Sequence, residues 1–312
     1  MRSYKTAFIL APTRSGSTLL DNLLASHPSV VSLGEVDKLR AYAVQDRRLY
    51  NPKQPLICSC GSPVPDCSFW RQVEATLGTP LGNLSLQWPP ANYARESLPI
   101  FRRRVLDVGV RLLARQPGLF RSNWTHSLFG SNSIVSDSWR LFDAVHAVTG
   151  AACVVDASKA LYRFRTLWHG QKDAMRAIVL CRDYRAVTHS QMRRGRSIEQ
   201  AIGRWRRSMR LIEEMVSDIP DNFVLRLKYE ALCEDPDATI RQTWRFLQLP
   251  ESSTAPRRSV SDMHHISGSP SKFDLTRQSV RVDDAYTGAF DPAQLEYLRI
   301  AAQPYSLRWG YD

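Results

Sequence analysis

Thr6-Ala-Phe-Ile-Leu-Ala11, followed by Pro12-Thr-Arg-Ser-Gly-Ser-Thr18, is the stretch on which the fold turns. Six residues, apolar but for Thr6 and ended by a proline, read as a buried strand. Beyond them Leu19, Leu20, Leu23 and Leu24 recur at helical spacing within 17–26, and His27-Pro28 closes the run. Strand, tight loop, helix is a junction suited to anions. Amide groups at a helix start point outward, and the macrodipole adds about half a positive charge there. Gly16 allows close backbone approach, Ser15, Ser17 and Thr18 add hydroxyls, and Arg14 adds a charged fork. An ordinary serine-capped helix start is the competing reading. The lysine before Ser/Thr of a Walker A loop is missing, which weakens a magnesium-dependent triphosphatase.

Working outward, residues 30–33 read as a second short strand. Helical patterns fill 98–113 and 138–148. Residues 152–156 read as a strand and 161–168 as a helix. Strand 177–181 precedes a helix near 184–192. Then come a long amphipathic helix over 198–216, a strand at 223–227 and a helix at 238–247, with polar, loop-rich sequence from 252 to 288. Strands alternating with helices predict a parallel sheet covered on both faces. The 312 residues are read as one α/β domain, with 37–150 as a largely helical insertion.

Ala177-Ile-Val-Leu-Cys-Arg182 ends a strand in an arginine, and Ser190 follows in the next helix. Ligands of open α/β sheets sit at the carboxyl ends of strands, so Arg182 is placed to meet an anion. A strand-end salt bridge to Asp183 is the alternative. Lys159, in Val154-Val-Asp-Ala-Ser-Lys159, also follows a strand end.

Arg14-Ser-Gly-Ser-Thr-Leu-Leu20, His27-Pro28 and Gly34-Glu35 together resemble the start of sulfotransferases that use 3'-phosphoadenosine-5'-phosphosulfate (PAPS). The likeness is to bacterial members and to the tyrosylprotein sulfotransferases. It covers about 6–36, 152–248 and 262–275, and implies a P-loop-NTPase-like α/β fold. By that resemblance Arg14, Ser15, Gly16, Ser17 and Thr18 hold the 5' end of PAPS, and Arg182 with Ser190 the 3'-phosphate. Lys159 matches the catalytic lysine, acting with Arg14 on the transferring group. Tyr229, in Lys228-Tyr-Glu-Ala-Leu232, contacts the adenine or packs at a strand end. Lys272, in the segment from His264, reaches a phosphate, with Arg277 and Arg281 as weaker candidates. Two anion sites far apart in sequence suit a nucleotide phosphorylated at both ends.

Transfer needs a base for the acceptor hydroxyl. The small-molecule branch keeps a histidine two residues after the lysine, and here that position is Leu161. The tyrosylprotein branch uses a glutamate downstream of the loop, where Glu35 stands. His264 and His265 are the reserve candidates. A nucleotide kinase or other phosphotransferase is the rival activity.

Cys58-Ser-Cys60-Gly61 and Cys67-Ser-Phe-Trp70 form a compact block. Packed free thiols come first, with a disulfide or a three-thiolate zinc site as alternatives. No fourth ligand follows at standard spacing, and the scheme above requires no metal.

The net charge of +12 favours anionic partners. The arginines from Arg193 to Arg210 alternate with Ile198, Ile202, Trp205, Met209 and Ile212 at helical spacing, so they read first as a solvated helix face rather than a nucleic-acid site. No apolar stretch approaches a membrane span, no signal peptide is visible, and six cysteines give no secreted framework, so a cytoplasmic location is expected. The acceptor is a hydroxyl compound whose class, and the oligomeric state, are left open.

Overall fold

The structure is a computed structural model that describes residues 2–49, 55–87, 131–250, 263–268 and 284–311. In chain order it contains β1 (Lys5–Leu10), α1 (Ser17–Leu24), β2 (Val30–Ser32), α2 (Leu39–Ala43), α3 (Ser68–Leu77), α4 (Ser131–Thr149), β3 (Cys153–Asp156), α5 (Leu161–Gly170) and β4 (Met175–Cys181). There follow α6 (Tyr184–Met192), α7 (Ile198–Val216), β5 (Val224–Lys228), α8 (Tyr229–Glu234), α9 (Pro236–Phe246), α10 (Pro292–Ala302) and α11 (Tyr305–Arg308).

The expected parallel sheet is present, in the order β2-β3-β1-β4-β5. Central strands covered on both faces carry continuous apolar runs. Every residue of β4 is buried, and so is β1 after Lys5. Edge strand β5 instead buries only Val224 and Leu227, with Leu225 and Lys228 partly exposed and Arg226 exposed. Ala7 and Ile9 of β1 face Leu20 and Leu24 of α1 and Trp244 of α9. Phe8 and Leu10 belong to the opposite layer, with Phe164 of α5, Val187 of α6 and Trp205 of α7. The chain thus leaves β1 toward one face and β3 toward the other. These two strands are neighbours, so a crevice opens at their carboxyl ends.

Helix α7 spans the predicted residues and starts with a Ser197/Gln200 capping box. Ile202, Trp205, Met209 and Ile212 are buried, whereas Arg204, Arg206 and Arg207 are exposed, as the spacing predicted. The described parts of 37–150 do not stand apart. Tyr42, Trp70 and Phe142 enter the same core as Phe8. Helix α3 was not anticipated, although Phe69, Trp70, Val73 and Leu77 have helical spacing and Gly78 terminates it in a left-handed turn. Helix α10 was missed too, despite its Asp291/Gln294 capping box and Pro292 at its first position. Helix α4 begins seven residues before the expected 138, because Ile134 extends its buried stripe. The predicted helix over 98–113 lies outside the described residues. Among the described residues, no helix is long and apolar enough to cross a membrane.

Behind the crevice lies a fully buried ion pair. Arg163 of α5 donates from Nη1 to Oδ2 of Asp156, the last residue of β3, and from Nη2 to Ser138 Oγ at 3.1 Å. The other Asp156 oxygen accepts from Ser158 N–H at 2.9 Å, which turns the chain toward Lys159. Removing one partner of such a pair strands the other charge. Asp156→Ala should therefore lower unfolding free energy by about 3–5 kcal/mol in denaturant titration. A loss below about 1 kcal/mol would show that Arg163 finds other partners.

Candidate functional site

The loop after β1 reaches α1 through two residues in left-handed conformation, Arg14 (φ 75°) and Gly16 (φ 83°). Gly16 is required twice over. Its φ disfavours any side chain, and an added Cβ would lie 2.3 Å from Cδ2 of Tyr229. Tyr229, the first residue of α8, thus packs its ring directly on the loop. The guanidinium of Arg182 lies 4.5 Å from the centre of the same ring. Gly16 occupies the N-cap of α1 and no side chain caps the helix. Its first amide groups depend on backbone, water or ligand. Ser15 is fully buried, and its hydroxyl has no hydrogen-bond partner among the described residues.

The loops after β1 and β4 meet. Arg14 Nε donates to Ser190 Oγ at 3.1 Å, across 176 residues of sequence. Arg182, directly after β4, donates from Nη1 to the Arg14 carbonyl at 3.2 Å. Asp183, which the alternative reading paired with Arg182, forms an ion pair with Arg185 at 2.6 Å. The indole of Trp205 donates to the Arg182 carbonyl at 3.2 Å and fixes that turn from the core side.

The second half of the site is the cleft between the ends of β1 and β3, lined by Ser17, Thr18, Glu35, Lys159, His265 and Ser267 among others. Lys159 Nζ donates to Glu35 Oε1 at 2.5 Å and to Ser17 Oγ at 3.4 Å. Ser267 Oγ donates to the other Glu35 oxygen at 3.0 Å. Segment 263–268 runs beside the end of β2, where Glu35 N–H donates to the Ile266 carbonyl at 2.8 Å and Ile266 N–H to the Leu33 carbonyl at 2.9 Å. Gly34 makes this approach possible, because a Cβ there would lie 2.5 Å from the Ile266 carbonyl oxygen. Lys159 (φ 59°) and Ser267 (φ 58°), like Arg14, are left-handed. Non-glycine residues held this way cost about 1–3 kcal/mol each and cluster at functional sites.

Under the cleft Asp21 accepts from Ser32 Oγ, and its Oδ2 lies 3.6 Å from His265 Nδ1. Complete burial pushes the Asp21 carboxyl above the usual carboxylate range, against the pull of His265. Neither Asp21 nor Ser267 was singled out from the sequence. Asp21 had a signal, an acidic side chain amid the leucines of α1, whereas Ser267 had none. His265, one of the two reserve candidates for the base, lines the cleft. His264 does not, because its Nδ1 turns to the cysteine block, 3.3 Å from Cys67 Sγ. Lys272, Arg277 and Arg281 lie outside the described residues.

A parallel sheet with an anion-type loop after its central strand and a crevice at its strand ends defines a P-loop-like α/β protein. Solved structures make the fold more specific. The sulfotransferase domain from the curacin biosynthetic pathway superposes over 100% of this chain and 99% of its own, with TM-score 0.56 and 17% identity. The sulfotransferase domain of the Synechococcus PCC 7002 olefin synthase covers 100% and 97%, with TM-score 0.55 and 18% identity. A sulfotransferase from Mycobacterium avium covers 100% and 78%, with TM-score 0.50 and 14% identity. The chain has the fold of these bacterial sulfotransferases. No protein-family model matches it, and no curated protein does.

The contact between Gly16 and Tyr229 is testable by a double-mutant cycle. Gly16→Ala should cost at least about 1–2 kcal/mol, the penalty of a left-handed side chain, plus the clash with the ring. Tyr229→Ala removes the clash and leaves the φ penalty, so the double variant should be less destabilised than the sum, by at least about 0.5 kcal/mol. Additive losses in thermal or chemical denaturation would mean the ring yields freely.

Proposed function

We propose that the protein transfers the sulfuryl group of PAPS to a hydroxyl acceptor. The observation that carries this reading is the meeting of the β1 and β4 loops, through Arg14–Ser190 and Arg182–Arg14, on a sheet with the sulfotransferase fold. One nucleotide with phosphates at both ends matches two such elements flanking one crevice. In this scheme the uncapped start of α1 and residues Arg14 to Thr18 bind the 5' phosphosulfate, and Arg182 with Ser190 the 3'-phosphate. Tyr229 supports both loops from below, and Lys272 remains a candidate phosphate contact. The whole chain acts as one sulfotransferase domain, and the 37–150 segment shapes the acceptor side.

Chemistry follows from the Lys159–Glu35 pair. Each partner neutralises the other in a site only about one-fifth exposed, with side-chain exposures of 21% and 18%. An arriving phosphosulfate competes for Lys159 and leaves Glu35 free to accept a proton. The acceptor oxygen then attacks sulfur in line. The bond from sulfur to the bridging phosphate oxygen breaks, Lys159 neutralises charge developing on that oxygen, and Glu35 takes the acceptor proton.

Two measurements test these roles. In calorimetry, 3'-phosphoadenosine-5'-phosphate should bind more tightly than AMP or ATP, by at least about tenfold, since charge-assisted bonds contribute about 1.5–3 kcal/mol each. Arg182→Ala should abolish that preference; equal affinity of the wild type for AMP would remove the 3'-phosphate assignment.

In steady-state assays with radiolabelled PAPS and a panel of hydroxyl acceptors, Glu35→Gln should slow transfer by about 10²–10⁴-fold while nucleotide affinity changes little. Lys159→Ala should likewise lower kcat more than it raises KM, because its contact strengthens as charge develops. Near-wild-type turnover of Glu35→Gln on an aliphatic alcohol would move the base to His265.

A further inference from the structure

Cys58, Cys60, Cys67 and His264 come together in the fold, although His264 is 197 residues from Cys67. Their donor atoms all lie within 4.8 Å of one another. Cys67 Sγ is 3.3 Å from His264 Nδ1, 3.6 Å from Cys60 Sγ and 3.9 Å from Cys58 Sγ, and Cys58 Sγ is 3.7 Å from His264 Nδ1. These separations decide between the chemistries open to three thiols. A disulfide would bring two sulfurs to about 2 Å, and all three cysteines are free. Bond lengths of about 2.3 Å to sulfur and 2.0–2.1 Å to nitrogen in a tetrahedron put neighbouring donors roughly 3.5–3.8 Å apart. Four of the six edges, at 3.3–3.9 Å, bracket that spacing.

We propose that these four side chains hold a structural zinc ion. Three soft sulfur donors and one imidazole suit zinc over magnesium or calcium, and four protein ligands leave no open position for a reacting water. Local backbone and ring contacts position the four ligands. Cys58 and Cys60 sit on a tight turn, with Cys58 N–H donating to the Ser62 carbonyl at 2.8 Å and Gly61 N–H to the Cys58 carbonyl at 2.9 Å. An antiparallel bridge between Ile57 and Pro63 closes that turn. Cys67 stands at the N-cap of α3. The His264 ring stacks on Phe69, with centroids 4.7 Å apart and planes 7° from parallel, which fixes the direction of Nδ1.

The ion would tie two segments already joined by hydrogen bonds. Ser59 Oγ donates to the Met263 carbonyl at 2.7 Å and accepts from His265 N–H at 2.8 Å. Its role is bracing, since the next residues are His265, which lines the cleft, and Ser267, which holds Glu35. Metal-binding free energy at such a site becomes folding free energy.

Full-length protein from zinc-supplemented culture, purified without chelator, should carry one zinc per chain by plasma mass spectrometry. Cys67→Ser should lower that content at least about tenfold, whereas His264→Cys should keep it. Cobalt(II) added to metal-stripped wild type should give intense tetrahedral ligand-field and thiolate charge-transfer bands. Chelation should lower the Tm. The assignment is overturned if wild type contains less than about a tenth of an equivalent and takes up no cobalt. It is equally overturned if Cys58→Ser/Cys67→Ser keeps wild-type zinc, or if mass spectrometry of the wild type finds a disulfide within the block. The wild-type measurements decide the matter even where a variant fails to fold.

Discussion

The start of α1 is where the demands on this molecule concentrate. A central parallel strand, covered by neighbours and by helices on both faces, must pass its chain to one face over a very short loop. Here that loop turns through left-handed Arg14 and Gly16 and delivers a helix whose first amides no side chain caps. The donors and the aligned peptide dipoles therefore face the crevice. Other features of the site answer that arrangement. Tyr229 occupies the space where any other residue at 16 would place a Cβ, Arg182 lies over the Tyr229 ring and holds the Arg14 carbonyl, and Lys159 reaches Ser17 from the neighbouring strand.

Rigidity around the loop comes from buried polar groups as well as apolar packing. Arg163–Asp156, at the end of β3, and Asp21–Ser32–His265, which joins α1 to the end of β2, lie almost wholly out of water. Buried charges and dipoles cost free energy unless each finds a partner in one geometry. Such networks are thus weak sources of net stability and strong selectors of a single arrangement. Asp156 shows the link to the cleft, since its second oxygen accepts from Ser158 N–H and so sets the turn that leads to Lys159.

Segment 263–268 extends this logic from a distant part of the chain. It pairs with the end of β2, contributes His265 to the buried network and Ser267 to Glu35, and sends His264 to the thiols. A few residues that bond to the cleft on one side and to the cysteine block on the other couple the two mechanically. Metal at the thiols would therefore favour one position of Glu35 without touching substrate.

The local pattern of the chain by itself determined the α/β class, the parallel sheet and the strand–loop–helix start. These rest on short-range rules: apolar runs for buried strands, leucines at helical spacing, and a glycine with hydroxyls at a strand–helix junction. The amphipathic reading of 198–216 succeeded for the same reason. Helix α3 escaped because its proline- and cysteine-rich approach looks like loop, although its own spacing is helical. What joins residues far apart in sequence was decided only by the tertiary structure. Arg14 with Ser190, Lys159 with Glu35, Tyr229 with Gly16, and His264 with Cys58, Cys60 and Cys67 are pairings that no spacing encodes. They arise because parallel strands carry their following loops to one end of the sheet, and because segment 263–268 adds to the edge of that end.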